Sequence, residues 1–185
     1  MKYQLSCFLF CMLLTVGVSV KAATGPKPPI EVVQETATQV IERIRGEKQS
    51  LEENPDSVYG LVDELIIPHF DFISMSKWVL GKKHWTEASK EQQTQFIEQF
   101  KTLLVRTYAK ALLQYSEQKI NYLSEKATKK SNLVEILTEV EQDGSDPIPI
   151  NYRMHISGGN WRVVDVVVNG ASLVRTYRGE FSSHI

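Results

Sequence analysis

Asp165 interrupts the apolar run Val163-Val164-Asp165-Val166-Val167-Val168, and of all side chains in this sequence its type and setting best suit acid–base chemistry. A carboxylate desolvated among valines can act as a general base, which would suit an isomerase or a dehydratase. The same position also suits a structural aspartate, paired with a nearby arginine or accepting backbone hydrogen bonds. No histidine or second acid stands at a suggestive spacing, which favours the structural reading. His69, His84, His155 and His184 are scattered, without an HExxH pair, so the spacing does not describe a metal site. Gly170-Ala171-Ser172 lacks the second glycine of a nucleophile elbow, and neither a P-loop nor a GxGxxG fingerprint occurs.

The elements around Asp165 divide the chain in two. In the first half, Val33, Ala37, Val40, Ile41 and Ile44 form one stripe, predicting an amphipathic helix over 31–52. Asn54-Pro55-Asp56-Ser57 ends it and opens a short helix over 57–67, closed by Pro68. Asp71 can cap a third helix, with Gly81 as its C′ residue. Ser89 with Gln92 makes a capping box for the longest helix, whose stripe runs through Phe96, Phe100, Leu103, Leu104, Tyr108, Ala111, Leu112 and Tyr115.

The second half alternates with period two. Ile120 and Tyr122, then Val134, Ile136 and Val140, then Ile150, Tyr152, Met154 and Ile156 mark three strands. The tight turn Gly158-Gly159-Asn160 leads into a fourth, Trp161–Val168, apolar on both faces as a strand covered on both sides should be. Short turns between them predict an antiparallel meander. After Asn169-Gly170, Leu173, Val174, Tyr177 and Phe181 share a helical stripe with Ser172 as cap, so the turn is read as passing from the last strand into a closing helix. The expected fold class is α+β: helices, then a curved four-stranded antiparallel sheet, then a closing C-terminal helix.

Length and composition bound the rest. The 185 residues suit one domain with a real core. Lys2, the apolar run LSCFLFCMLLTVGVSV and Val20-Lys21-Ala22 form the pattern of a cleavable export signal over 1–22. Residues 23–30, rich in proline, read as a linker, and 31–185 as the single folded domain. Cys7 and Cys11, the only cysteines, lie in the expected signal, leaving the mature chain without thiols. Removing Lys2 and Lys21 leaves 19 basic residues against 22 acidic, a net charge near −3, which argues against general nucleic-acid binding.

Two stretches carry a family resemblance. The first is Pro68, Phe70-Asp71-Phe72, Leu80-Gly81, Trp85, Gln92, Phe96, Phe100, Leu103-Leu104 and Tyr108-Ala109. The second is Trp161, Val163, Asp165-Val166, Gly170, Ser172-Leu173-Val174, Tyr177-Arg178 and Phe181, with Pro149-Ile150 and Tyr152-Arg153 ahead of it. Together they resemble the MlaC-like, or toluene-tolerance, periplasmic phospholipid-binding proteins, in order and over nearly all of the mature chain. Asn169 stands where the family pattern often has an acidic residue.

The resemblance implies a sheet similar to that of nuclear-transport-factor-2-like (NTF2-like) folds, with added helices enclosing an apolar cavity for acyl chains. It implies a periplasmic, monomeric carrier that moves single phospholipids between the outer and inner membranes and maintains outer-membrane lipid asymmetry. The implied partners are an outer-membrane lipoprotein–porin complex and an inner-membrane ABC transporter with its substrate-binding-domain subunit. Apart from the phospholipid cargo, no cofactor or metal is implied. An intact lipid is transferred without bond breaking, so apolar volume rather than reactive groups is required. The candidate lipid-binding residues are Phe70, Met75, Leu80, Leu104, Tyr108, Leu112, Tyr122, Ile136, Tyr152, Met154, Val164 and Val166. Related cavity folds include enzymes with a carboxylate base, which keeps Asp165 in play, and a periplasmic adaptor or chaperone would use a similar apolar groove. Basic residues such as Lys82, Lys83, Arg106, Lys110, Lys129, Lys130, Arg153, Arg175 and Arg178 could steer docking to acidic partners or lipid head groups.

Overall fold

The computed structural model describes residues 25–114, 117–127 and 132–183. The expected export signal, most of the polar turn after the first strand, Tyr115 and His184 lie outside these residues. None of the helices among the described residues is long and apolar enough to cross a membrane.

Helix α1 spans Pro29–Gly46 and buries Val33, Val40 and Ile44, the stripe its sequence shows. Its proline start needs no amide donor, and Arg43 and Arg45 in the last turn oppose the carbonyl end of the helix dipole. The single helix expected over 31–52 is broken here. Glu47 leaves helical geometry (φ −108°, ψ 15°), directly after the helix-weakening Gly46, and α2 resumes over Lys48–Glu53. A turn at Pro55–Ser57 leads into α3, Val58–Leu65, and a second at Ile67–His69 closes it.

Asp71 caps α4, Phe72–Glu87, accepting from the Ser74 amide at 2.9 Å. Gly81 ends the first helical segment as expected: it leaves helical geometry (φ 74°, ψ 165°), and a second segment runs on beyond this kink to Glu87. The capping box at Ser89 and Gln92 opens α5, Lys90–Leu112, 23 residues long.

Strands β1 (Ile120–Ala127), β2 (Val134–Gln142), β3 (Ser145–Ser157) and β4 (Asn160–Val168) form the expected antiparallel meander. The sheet has five strands rather than four. Asn169 (φ 49°) and Gly170 (φ 81°) make a two-residue turn with both residues left-handed, and Ala171–Ser172 returns as β5 against β4. Ser172 then accepts from the Arg175 amide and caps α6, Leu173–Ser182. Hairpin and helix cap thus share one residue. Only Ala171 and Ser172 pair before the cap takes over, too few to leave an alternating signature.

The sheet is covered from both faces. Helices α4 and α6 pack on β4, while α1 contacts β1 and β2. Three apolar clusters result: α1–α2–α3–α5 around Val40, Leu61 and Ala109; α4–α5–α6 with β4 around Met75, Phe100 and Tyr177; and the sheet with α1 around Ile136 and Met154.

Candidate functional site

Side chains directly opposite one another in antiparallel strands share a face, so the register defines the two surfaces of the sheet. One face carries the rows Val134–Met154–Val163, Ile136–Tyr152–Val166 and Tyr122–Thr138–Ile150–Val168 across successive strands. None of these positions is charged. The Ile136 row ends on exposed Glu125 at the β1 edge. Ile136 and Met154 are fully buried, and Phe70, Tyr122, Tyr152 and Val166 pack half-buried around them beneath α1. Phe70 reaches this group because its backbone bridges to Val163 in parallel and the Asp71 amide donates to the Val163 carbonyl. Thr138 is buried, and its hydroxyl donates to the Ile150 carbonyl, so its polarity is absorbed within the sheet.

Burial, then the neighbouring Tyr122 phenol, pushes the Tyr152 phenol up to about 12, and burial raises Tyr122 as well. Both phenols therefore stay neutral through the physiological range. The result is an apolar face with two neutral hydroxyls, suited to hydrocarbon.

Asp165 lies on the opposite face. The row Glu135–Arg153–Asp165 crosses β2, β3 and β4 there. Asp165 is 3% exposed; its Oδ2 accepts from Arg153 Nη1 at 2.9 Å and Ser172 Oγ at 2.6 Å, and its Oδ1 from the Val174 amide at 3.1 Å. Its acceptor capacity is thus committed to holding α6 and β5 onto β4. This is the structural role, through both the arginine and the backbone bond that the sequence suggested. A bulge at Val164 places Asp165 opposite Arg153 while Val163 stays paired with Met154 on the other face.

The histidines are also separated. His155 Nε2 meets Asp71 Oδ2 at 2.8 Å, His84 Nδ1 is 4.0 Å from Glu87, and His69 is partly buried beside Arg162. Among the described residues, no three His, Cys, Asp or Glu side chains converge in a metal-holding group.

The structure divides the candidate lining by location. Phe70, Tyr122, Ile136, Tyr152, Met154 and Val166 come together on the apolar sheet face. Met75, Leu104 and Val164 pack with Phe100, Val174 and Tyr177 under α4 and α6. Leu112 lies against the helical cluster, Leu80 is half-buried, and Tyr108 is 41% exposed with its phenol bonded to Tyr177. Periodicity shows that these residues are apolar; it does not show which of three clusters each one joins. Missed altogether were the Asp71–His155 contact, 84 residues apart in sequence, and the participation of Val33 and Trp161 in the sheet-face cluster.

With this geometry in view, residues 34–185 match the family model for the MlaC protein. The chain belongs to the MlaC family. The motif stretches that resembled this family in the sequence lie within the matched region. Among similar proteins, the toluene tolerance protein ttg2D of Pseudomonas putida is 29% identical over 154 residues, covering 83% of this chain and 71% of the relative. The intermembrane phospholipid transport system binding protein MlaC of Haemophilus influenzae is 27% identical over 169 residues, covering 90% and 78%. A phospholipid-binding protein from Ralstonia solanacearum, solved in complex with a phospholipid, superposes with a TM-score of 0.76 at 30% identity, covering 85% of this chain and 87% of that one. The helices-then-sheet arrangement is thus that of a solved phospholipid-binding protein.

Proposed function

We propose that this chain is a periplasmic phospholipid carrier, without catalytic activity, that shuttles single phospholipids between the outer and inner membranes and so maintains outer-membrane lipid asymmetry. The observation that carries this reading is the Ralstonia relative, alike in fold over most of both chains and holding a phospholipid. The Haemophilus relative is named as the binding protein of an intermembrane phospholipid transport system, which supports the same reading. In this reading the acyl chains lie on the apolar sheet face, against Phe70, Tyr122, Ile136, Tyr152, Met154 and Val166, with the opposing helices as the other wall of a cavity. The remaining candidates, Met75, Leu80, Leu104, Tyr108, Leu112 and Val164, support those walls.

Affinity in such a site comes from area. Each methylene removed from water contributes about 0.8 kcal/mol, so two long tails bind tightly with little contribution from the head group. The neutral phenols of Tyr122 and Tyr152 suit the ester region of a lipid, where a hydroxyl can donate without a charge being buried. The lipid would be received from an outer-membrane lipoprotein–porin complex and passed to an inner-membrane ABC transporter with its substrate-binding-domain subunit. The apolar run at 5–20 supports export with a cleaved signal. A base-catalysed reaction has no comparable support, because Asp165 is engaged by three donors on the other face of the sheet.

The test is organic extraction of protein purified from the periplasm without detergent, followed by mass spectrometry. About one phospholipid per chain is expected, and a Tyr152→Asp variant, with a charge on the apolar face, should lose most of it. Finding no stoichiometric phospholipid in the native protein would overturn the carrier reading.

A further inference from the structure

The charged face of the sheet carries a second feature, outside the lipid site proposed above. Between α4, α6 and the strands lies a groove of about 430 Å³, lined by Trp78, Leu133 and Val174 as apolar wall, Glu135, Arg153 and Asp165 as floor, and Ser172, Arg175 and Arg178 along α6. The floor holds its charges in contact, Arg153 standing 3.5 Å from Glu135 and 2.9 Å from Asp165, with one carboxylate in excess. The rim is cationic. Arg175 and Arg178, one helical turn apart and both exposed, have no carboxylate partner among the described residues.

The Arg178 guanidinium lies over Gly81, where an added Cβ would come within 3.3 Å of Nη2, and the left-handed φ of 74° there is one that glycine adopts without strain. The kink in α4 thus leaves room for the Arg178 side chain at the groove rim. Trp78, on the same helix, remains 37% exposed at the groove wall. A pair of exposed arginines beside an exposed tryptophan in a concave groove has the composition of a protein-recognition hot spot.

From this we infer that the groove between α4 and α6 is a docking site for a partner protein's segment bearing a carboxylate next to an apolar side chain. The apolar residue would lie against Trp78, Leu133 and Val174, and the carboxylate between Arg175 and Arg178, where a bidentate pair can form. A protein segment fits better than an anionic membrane surface. A recessed groove with an apolar wall does not match a flat array of head groups, and the chain's formal net charge of −1 provides no general attraction to one. The inference does not depend on what occupies the apolar face.

The test uses a display library of short random peptides selected on the full mature protein, with an R175E/R178E variant as counter-selection. Enriched sequences should pair Asp or Glu with an aliphatic or aromatic residue. Their binding, read by fluorescence anisotropy, should weaken by at least about tenfold in R175E/R178E and fall with added salt. Matched peptides carrying Lys in place of the acid should bind R175E/R178E better than wild type, a charge swap that misfolding cannot imitate. A W78A variant should weaken both peptide classes. Lipid content by mass spectrometry is measured on the same variants and should match wild type, so failure of the docking site and failure of the carrier reading are distinguishable. Enrichment of no sequence class, equal peptide affinity for wild type and R175E/R178E, or loss in that variant of binding to phosphatidylglycerol vesicles instead of peptides would each overturn the proposal.

Discussion

Asp165 and Ser76 are both buried polar residues, and their hydrogen bonding differs completely. Asp165 receives three donors from Arg153, Ser172 and the Val174 amide, while Ser76 Oγ, fully buried in α4, has no partner among the described residues. An unsatisfied buried hydroxyl costs stability and a satisfied carboxylate holds structure, so the two alanine substitutions should act in opposite directions. Asp165→Ala leaves Arg153 with Glu135 alone, deprives the Ser172 hydroxyl and the Val174 amide of their acceptor, and should destabilise by about 3–5 kcal/mol. Ser76→Ala removes only an unpaired oxygen and should stabilise by up to about 1 kcal/mol. Urea unfolding of both variants beside wild type checks these outcomes, and a stabilised Asp165→Ala would contradict the structural role assigned here.

Among the elements, α4 depends on its first contact with the sheet. Burial pushes the Asp71 carboxyl up, but the Ser74 amide, the His155 ring and the Ser74 hydroxyl outweigh it and hold the group below its ordinary 3.8. A carboxyl depressed in the folded state contributes stability that is fully present above the unfolded value. That contribution is lost as pH falls from 3.8 through the folded value. Acid unfolding of wild type should therefore include a component that Asp71→Asn lacks. Circular dichroism melts at stepped pH would show it as convergence of the two Tm values below the ordinary carboxylate range. At the far end of the same cluster, Phe96 and Phe100 of α5 meet Tyr177 and Phe181 of α6 edge-on at 5.5 Å in the pairs Phe96–Phe181 and Phe100–Tyr177, which seats the closing helix.

For the whole molecule, the two surfaces of one sheet differ in character: an apolar face under α1 and a charged face under α4 and α6. If the apolar face holds lipid, the bound molecule is part of the stability of the native state. Ligand at a hundredfold excess over its dissociation constant stabilises by about 2.7 kcal/mol. Delipidated protein should then melt roughly 5–10 °C lower, and adding phospholipid should restore the transition. Differential scanning calorimetry of extracted and reloaded protein reads this directly, and an unchanged Tm would mean that the lipid is not enclosed.

What the sequence by itself determined is everything set by neighbours along the chain. The α1 and α5 stripes, the Ser89 and Asp71 caps, the four long strands and the change from helix to sheet all follow from spacing and capping chemistry. Tertiary structure decided what spacing cannot carry. That a second helical segment follows Gly81 at once, across a kink, is not carried by the glycine's capping signal. Whether Asn169-Gly170 turns into a strand or a helix depended on two backbone pairs with β4, and both outcomes occur in succession. The separation of one expected lining into three clusters follows from the sheet register and its bulges, because a single extra residue at Val164 fixes which face Asp165 and the valines around it present.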